Sequence, residues 1–159
     1  MIPPPQPKRK SPRLPGADYT EPRAYFVTLC TFRRRPAFAD VRLNRALIAH
    51  LSGHAKVHGV VLHAWCFMLD HCHLLVELPD EGLSLSAWVG RLKSRSTLLA
   101  WTLGLQGRLW QGRFHDHILR REESIERVAE HIVHNPVRKG PVETWVEYPW
   151  SGLGEERIL

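Results

Sequence analysis

An α+β fold, one sheet with helices packed on it, is the architecture this sequence predicts, and two observations predict it. Short runs rich in β-branched and aromatic residues interleave with stretches whose apolar residues recur every three to four positions, in the order β-α-β-β-α-β-α. The chain has 159 residues, 43% hydrophobic and 24% charged, which is ordinary globular material sized for one core rather than two. Four strand-like runs imply a four-stranded sheet, antiparallel or mixed.

Prolines and basic residues (Lys8, Arg9, Lys10, Arg13) crowd 1–22, which reads as a flexible basic arm. The run YFVTLCTF (25–32) is a buried strand by its β-formers. In 40–59, Leu43, Leu47, Leu51 and Ala55 fall at helical spacing, with Asp40 as N-cap and Gly59 as the stop. VVLHAWCFML (60–69) and HCHLLVEL (71–78) are the second and third strands, and the turn residues after Leu78 close the third. A second helix spans about 84–101, its apolar face carried by Leu85, Trp88, Val89, Leu92 and Leu99. After Gly104 and Gly107 a short strand is expected near 114–119, then a helix over 123–135 that ends at Pro136. The remainder reads as loop anchored by Trp145, Tyr148 and Trp150. The expected organisation is an arm at 1–22, one domain at 23–152 and a tail at 153–159.

Composition also narrows function. Twenty-two Lys and Arg stand against sixteen Asp and Glu, a net charge of +6, which favours a polyanion such as nucleic acid over a membrane surface. No apolar run reaches the roughly 18 residues of a membrane span, and the first residues lack the apolar stretch of a secretory signal. Three cysteines without CxxC spacing fit a reduced, cytoplasmic chain. A basic RNA-binding protein is an alternative that charge alone would permit.

The sharpest local feature is Asp70-His71-Cys72-His73. Side chains alternate along a strand, so His71 and His73 share a face on which two imidazoles can ligate one divalent cation, while Cys72 points to the opposite layer. An HxH pair also occurs by chance as ordinary surface or packing histidines. Here it sits in a basic chain with ten histidines, beside an acidic residue.

The segment LHAWCFMLDHCHLLVELP resembles the His-hydrophobe-His region of the IS200-like, single-tyrosine (Y1) transposases, and most closely the REP-associated tyrosine transposases. LSAWVGRLKSR, GRLWQGRFHDHILR and HNPVRKGPVETWVEYPWSG match further family segments in the same order, so the resemblance covers roughly residues 23–152. It implies a ferredoxin-like HUH fold. It also implies a divalent cation, Mg²⁺ or Mn²⁺, held by His71 and His73, with Asn135 as a third ligand one helical turn beyond the nucleophile. The implied partner is single-stranded or hairpin-forming DNA, and the implied reaction is strand cleavage and joining through a 5′-phosphotyrosine. Both monomer and homodimer are compatible with it; a membrane role is not expected.

The chain departs from the family pattern at the nucleophile. Where the pattern reads Tyr-Ile-x-x-Asn-Pro, this sequence reads His131-Ile132-Val133-His134-Asn135-Pro136. Tyr19, Tyr25 and Tyr148 all lie elsewhere. Three readings stay open: His131 attacks the phosphate itself; cleavage is lost and DNA binding kept; or His131 faces the metal and water attacks. Lys93, Arg95, Arg113 and Arg138 are candidate phosphate contacts, with a solvated helix face or a helix-dipole role as the simpler account. Trp110 and Phe114 offer either base stacking or core packing, and Asp116 either orients a ligand histidine or caps a turn.

Overall fold

The computed structural model describes residues 24–79, 82–120 and 122–154. The expected arm at 1–22 and the last residues of the expected tail lie outside them. Nine regular elements follow in order: β1 Ala24–Cys30, α1 Val41–Val57, β2 Val61–Phe67, β3 His71–Glu77, α2 Leu85–Thr102, β4 His115–Ile118, α3 Ile125–Val133, α4 Asn135–Lys139 and β5 Ser151–Leu153. Local chemistry sets the helix starts. Asp40 accepts from the backbone N–H of Arg42 and Leu43, Ser84 from Ala87 and Ser124 from Arg127. Gly59 ends the α1 connection at φ 66°, a conformation glycine adopts without penalty.

The strands form one sheet in the order β4-β1-β3-β2-β5, with every neighbour antiparallel. Five strands therefore replace the expected four. The fifth, Ser151–Leu153, arises in the segment read as loop, because it is too short to show periodicity and is held by long-range contacts. Gly152 lies against the Trp65 indole and Gly154 against the Leu62 carbonyl, so a Cβ at either position would clash. The last helix also differs from expectation. α3 stops at Val133, and Pro136 opens the short α4 instead of ending a helix, since proline at a helix start needs no N–H partner.

The two faces of the sheet carry different layers. Val27, Leu29, Cys72, Leu74 and Val76 face α1 and α2 and form the main core with Leu43, Leu47, Leu51, Trp88 and Val89. Trp88 is fully buried, the largest side chain that is. Alternation puts Phe26, Ala64, Cys66 and Leu75 on the other face, where Ala129 and Ile132 of α3 cover them in a smaller cluster. In register, Thr28 and Cys66 flank His73, and Cys30 lies opposite His71. Both histidines thus stand on the α3 side of the sheet.

Candidate functional site

His71 and His73 project from the same face of β3, ring centroids 4.9 Å apart. Each ring is fixed through Nδ1. The Asp70 carboxylate accepts from His71 Nδ1 at 2.7 Å, and the Thr28 hydroxyl bonds His73 Nδ1 at 2.9 Å. A carboxylate only accepts, so the His71 proton sits on Nδ1 and the lone pair on Nε2. Arg34 Nε donates to the second Asp70 oxygen at 3.1 Å, extending the chain to guanidinium, carboxylate and imidazole. Among the described residues neither Nε2 makes a hydrogen bond. This is the way metal-binding histidines are held, with the remote nitrogen anchored and the near one open.

Burial pushes the His73 pKa down to about 4, and the charges of His71, His131, Arg138 and Lys139 push the same way. His73 is therefore neutral at pH 7, with a lone pair free to bind a cation. His131 of α3 and Arg138 and Lys139 of α4 thus lie near enough to His73 for their charges to act on it. Ile132 and Ala129 pack onto Leu75, Cys66 and Ala64, and that packing turns His131 to the exposed rim. Burial first, and Arg138 second, hold His131 below the ordinary histidine range. Arg138 Nη2 donates to the His131 carbonyl at 2.8 Å and reaches His131 Nε2 and Asn135 Oδ1 at 3.3 Å each.

The donor set fits a divalent cation bound in part by its substrate. His71 and His73 offer two open nitrogens, and among the described residues no third His, Cys, Asp or Glu joins them. Asn135 is buried, with Nδ2 lacking a hydrogen-bond partner and Oδ1 on Arg138. Two imidazoles leave coordination positions for further donors, phosphate oxygens and water.

The sequence model of the family described as transposase IS200-like matches residues 22–135. The chain belongs to the IS200-like transposase family. A Haemophilus influenzae protein named as a REP-associated tyrosine transposase is 25% identical over 151 residues, spanning 86% of this chain and 82% of its own. An Escherichia coli REP-associated tyrosine transposase is 28% identical over 90 residues, 57% of this chain and 52% of its own. Among solved structures, a REP-associated tyrosine transposase bound to a REP hairpin superposes with a TM-score of 0.66 at 22% identity, over 85% of this chain and 79% of that one. A Deinococcus radiodurans transposase gives 0.54 at 21% identity, over 74% and 93%. The two structures share the fold. Family membership makes this a transposase-like, DNA-binding protein, and the family is generally metal-dependent.

In this IS200-like chain no described tyrosine stands on α3. Tyr25 is buried in the main core. Tyr148 packs beside Cys66, gives its hydroxyl proton to the Phe67 carbonyl, and is raised by burial to about 12, so its phenol is both occupied and hard to ionise.

The candidate phosphate contacts separate. Arg138 lies beside His131. Lys93 Nζ donates to the carbonyls of Gln111 at 2.7 Å and Arg113 at 3.2 Å and lies over the Phe114 ring, so it ties the 111–114 segment to α2. Arg113 is exposed in that segment. Arg95 is on α2, where its charge acts on His50 in the layer opposite His71. Trp110 is buried and donates to Ser96 Oγ at 2.8 Å, which is the packing alternative. Asp116 pairs in register with Val27 and so faces away from His73. His117 instead bonds Glu123 at 2.8 Å. The group that orients His71 is the Asp70 carboxylate, and the Thr28 hydroxyl does the same for His73. Sequence reasoning noted Asp70 only as a neighbour and did not assign it this role; its position directly before His71 was the available signal.

Proposed function

We propose that this protein binds single-stranded, hairpin-forming DNA across the sheet face of His71 and His73, and cleaves and rejoins it with His131 in the position of the family's tyrosine. The observation that carries the reading is a pair of imidazoles anchored through Nδ1, with Nε2 open, on the sheet face that α3, the helix of His131, covers. A divalent cation, Mg²⁺ or Mn²⁺, held by His71 and His73 with Asn135 as a third donor, would polarise the phosphate and offset charge on the departing oxygen.

The chain's own residues supply the remainder. Held below its ordinary pKa, His131 is unprotonated at pH 7 and can attack phosphorus. The nitrogen–phosphorus bond forms to the 5′ phosphate, the bond from phosphorus to the 3′ oxygen breaks, and that oxygen leaves as a 3′ hydroxyl, its proton relayed through water from the other ring nitrogen of His131. Rejoining reverses these changes with the bond energy conserved. Arg138 beside His131 offers N–H donors to the phosphate oxygens.

A second reading has its own support. The bond from Arg138 Nη2 to His131 Nε2 occupies the lone pair that would attack, and this favours a protein that binds the hairpin without cutting it. A denaturing gel with labelled hairpin DNA and Mn²⁺ separates the two. The proposal expects a covalent adduct with the native protein that His131→Ala abolishes. An adduct formed only by His131→Tyr establishes the non-cleaving reading, and cutting without an adduct points to water as nucleophile.

A further inference from the structure

At the end of β1 the chain makes a turn that is costly for its sequence. Arg33 and Arg34, neither of them glycine, both adopt left-handed backbone with φ of 54° and 55°. The turn is stitched in place. Thr31 donates N–H and Oγ1–H to the Asp70 carbonyl, Phe32 N–H goes to the Leu109 carbonyl at 2.9 Å, and Arg35 Nη1 to the Gln106 carbonyl at 3.0 Å. Thr31 also bridges to Trp110, so segment 108–111 runs alongside.

This arrangement places two guanidinium groups on one ring. Arg33 lies over Phe32 at 5.2 Å from the centroid and Arg108 at 4.8 Å. Both arginines are exposed, and among the described residues neither pairs with a carboxylate. Two like charges held against one aromatic ring, neither paired with a carboxylate among the described residues, make an exposed cationic pair that suits an anion. Its position is informative. Phe32 lies two residues past Cys30, which is opposite His71, or about 7 Å along the strand direction at about 3.3 Å per residue.

We infer that Arg33 and Arg108, held by Phe32, form a clamp for one backbone phosphate of the single strand entering or leaving the His71–His73 site. The inference rests on the DNA-binding reading above and names a second contact point for that same strand. Phe32 acts as a positioning residue: it restricts two flexible side chains before the phosphate arrives, so less freedom is lost on binding. Arg34 belongs to a separate role, because its guanidinium is engaged by Asp70 and the Cys30 sulfur.

The test measures the affinity of full-length protein for two fluorescent DNAs, a hairpin with a single-stranded tail and the same hairpin without one, across a salt series. Arg33→Gln with Arg108→Gln is expected to weaken tailed DNA at least ten-fold. The slope of log affinity against log salt should become shallower by about 0.7, the value for one phosphate on a single strand. The blunt hairpin should bind as before. Phe32→Leu keeps both charges and is expected to weaken tailed DNA about three-fold or more with the slope unchanged, as lost preorganisation requires. Mn²⁺ affinity at His71 and His73 should stay native in all variants and confirms that they are folded. If the double variant binds tailed DNA with native affinity and slope, the clamp is overturned while the DNA-binding reading stands. If the unmodified protein binds neither DNA, the DNA-binding reading falls and takes the clamp with it.

Discussion

Replacing Asp70 with asparagine keeps the shape of the histidine site and removes one charge from behind it. In the native protein Asp70 accepts from His71 at 2.7 Å and from Arg34 at 3.1 Å. Burial raises the Asp70 pKa, but the His71 hydrogen bond and the Arg34 charge outweigh it, so the carboxylate sits below its usual range and is ionised at pH 7. A hydrogen bond to a charged group contributes about 1.5–3 kcal/mol. The His71 and Asp70 side chains are 17% and 30% exposed, so water screens part of this and the lower end, about 1.5–2 kcal/mol, applies. At about 1.4 kcal/mol per factor of ten, Asp70→Asn should weaken Mn²⁺ binding roughly ten- to thirty-fold. Loss of such a supporting group commonly costs about 10–100-fold. Asp70→Leu, which also frees the ring to rotate, should weaken it further. Electron paramagnetic resonance of free Mn²⁺ during titration at pH 7 measures both. Native affinity in both variants would refute the argument that Asp70 fixes the tautomer and direction of His71.

Three further outcomes are expected. Leu75→Ala removes a fully buried side chain beneath α3 and should cost about 2–5 kcal/mol in urea unfolding, with adduct formation falling alongside because α3 carries His131. Gly154→Ala would place a Cβ at 1.9 Å from the Leu62 carbonyl oxygen, so β5 should detach; hydrogen exchange at Phe67, which donates to the Trp150 carbonyl, and at Trp65, opposite Gly152, should rise while the α1 core stays protected. His50 and His54 are held below the ordinary histidine pKa mainly by burial, with Arg95 acting on His50 and His58, His50 and Arg91 on His54. Below about pH 6.5 the unfolded chain takes up protons that the folded chain refuses, so stability should fall as pH drops from 7 to 5. His54→Gln should flatten that fall in a pH series of melting curves.

The family relation and the outline of the site were legible in the sequence because they rest on local rules. Alternation along a strand puts His71 and His73 on one face whatever surrounds them. Apolar spacing, with the cap Asp40 for α1, places α1 and α2 to within a residue or two. The absence of tyrosine from position 131 is a fact of the sequence alone.

Tertiary structure decided what depends on contacts between distant residues. Arg34 meets Asp70 across 36 positions and Thr28 meets His73 across 45, and no periodic pattern records such pairs. β5 forms because Gly152 and Gly154 fit against Trp65 and Leu62 on a strand far earlier in the chain. Lys93 and Arg95 look alike in sequence, two residues apart on one helix. Yet the ammonium of Lys93 is taken by the carbonyls of a neighbouring loop, whereas Arg95 is carried to the layer opposite His71. The sequence determined which groups the molecule owns and which share a strand face. The layering of α3 over that face, by burial of Leu75, Ala129 and Ile132, decided which of them meet. Burial is a property of packed surfaces rather than of residue order.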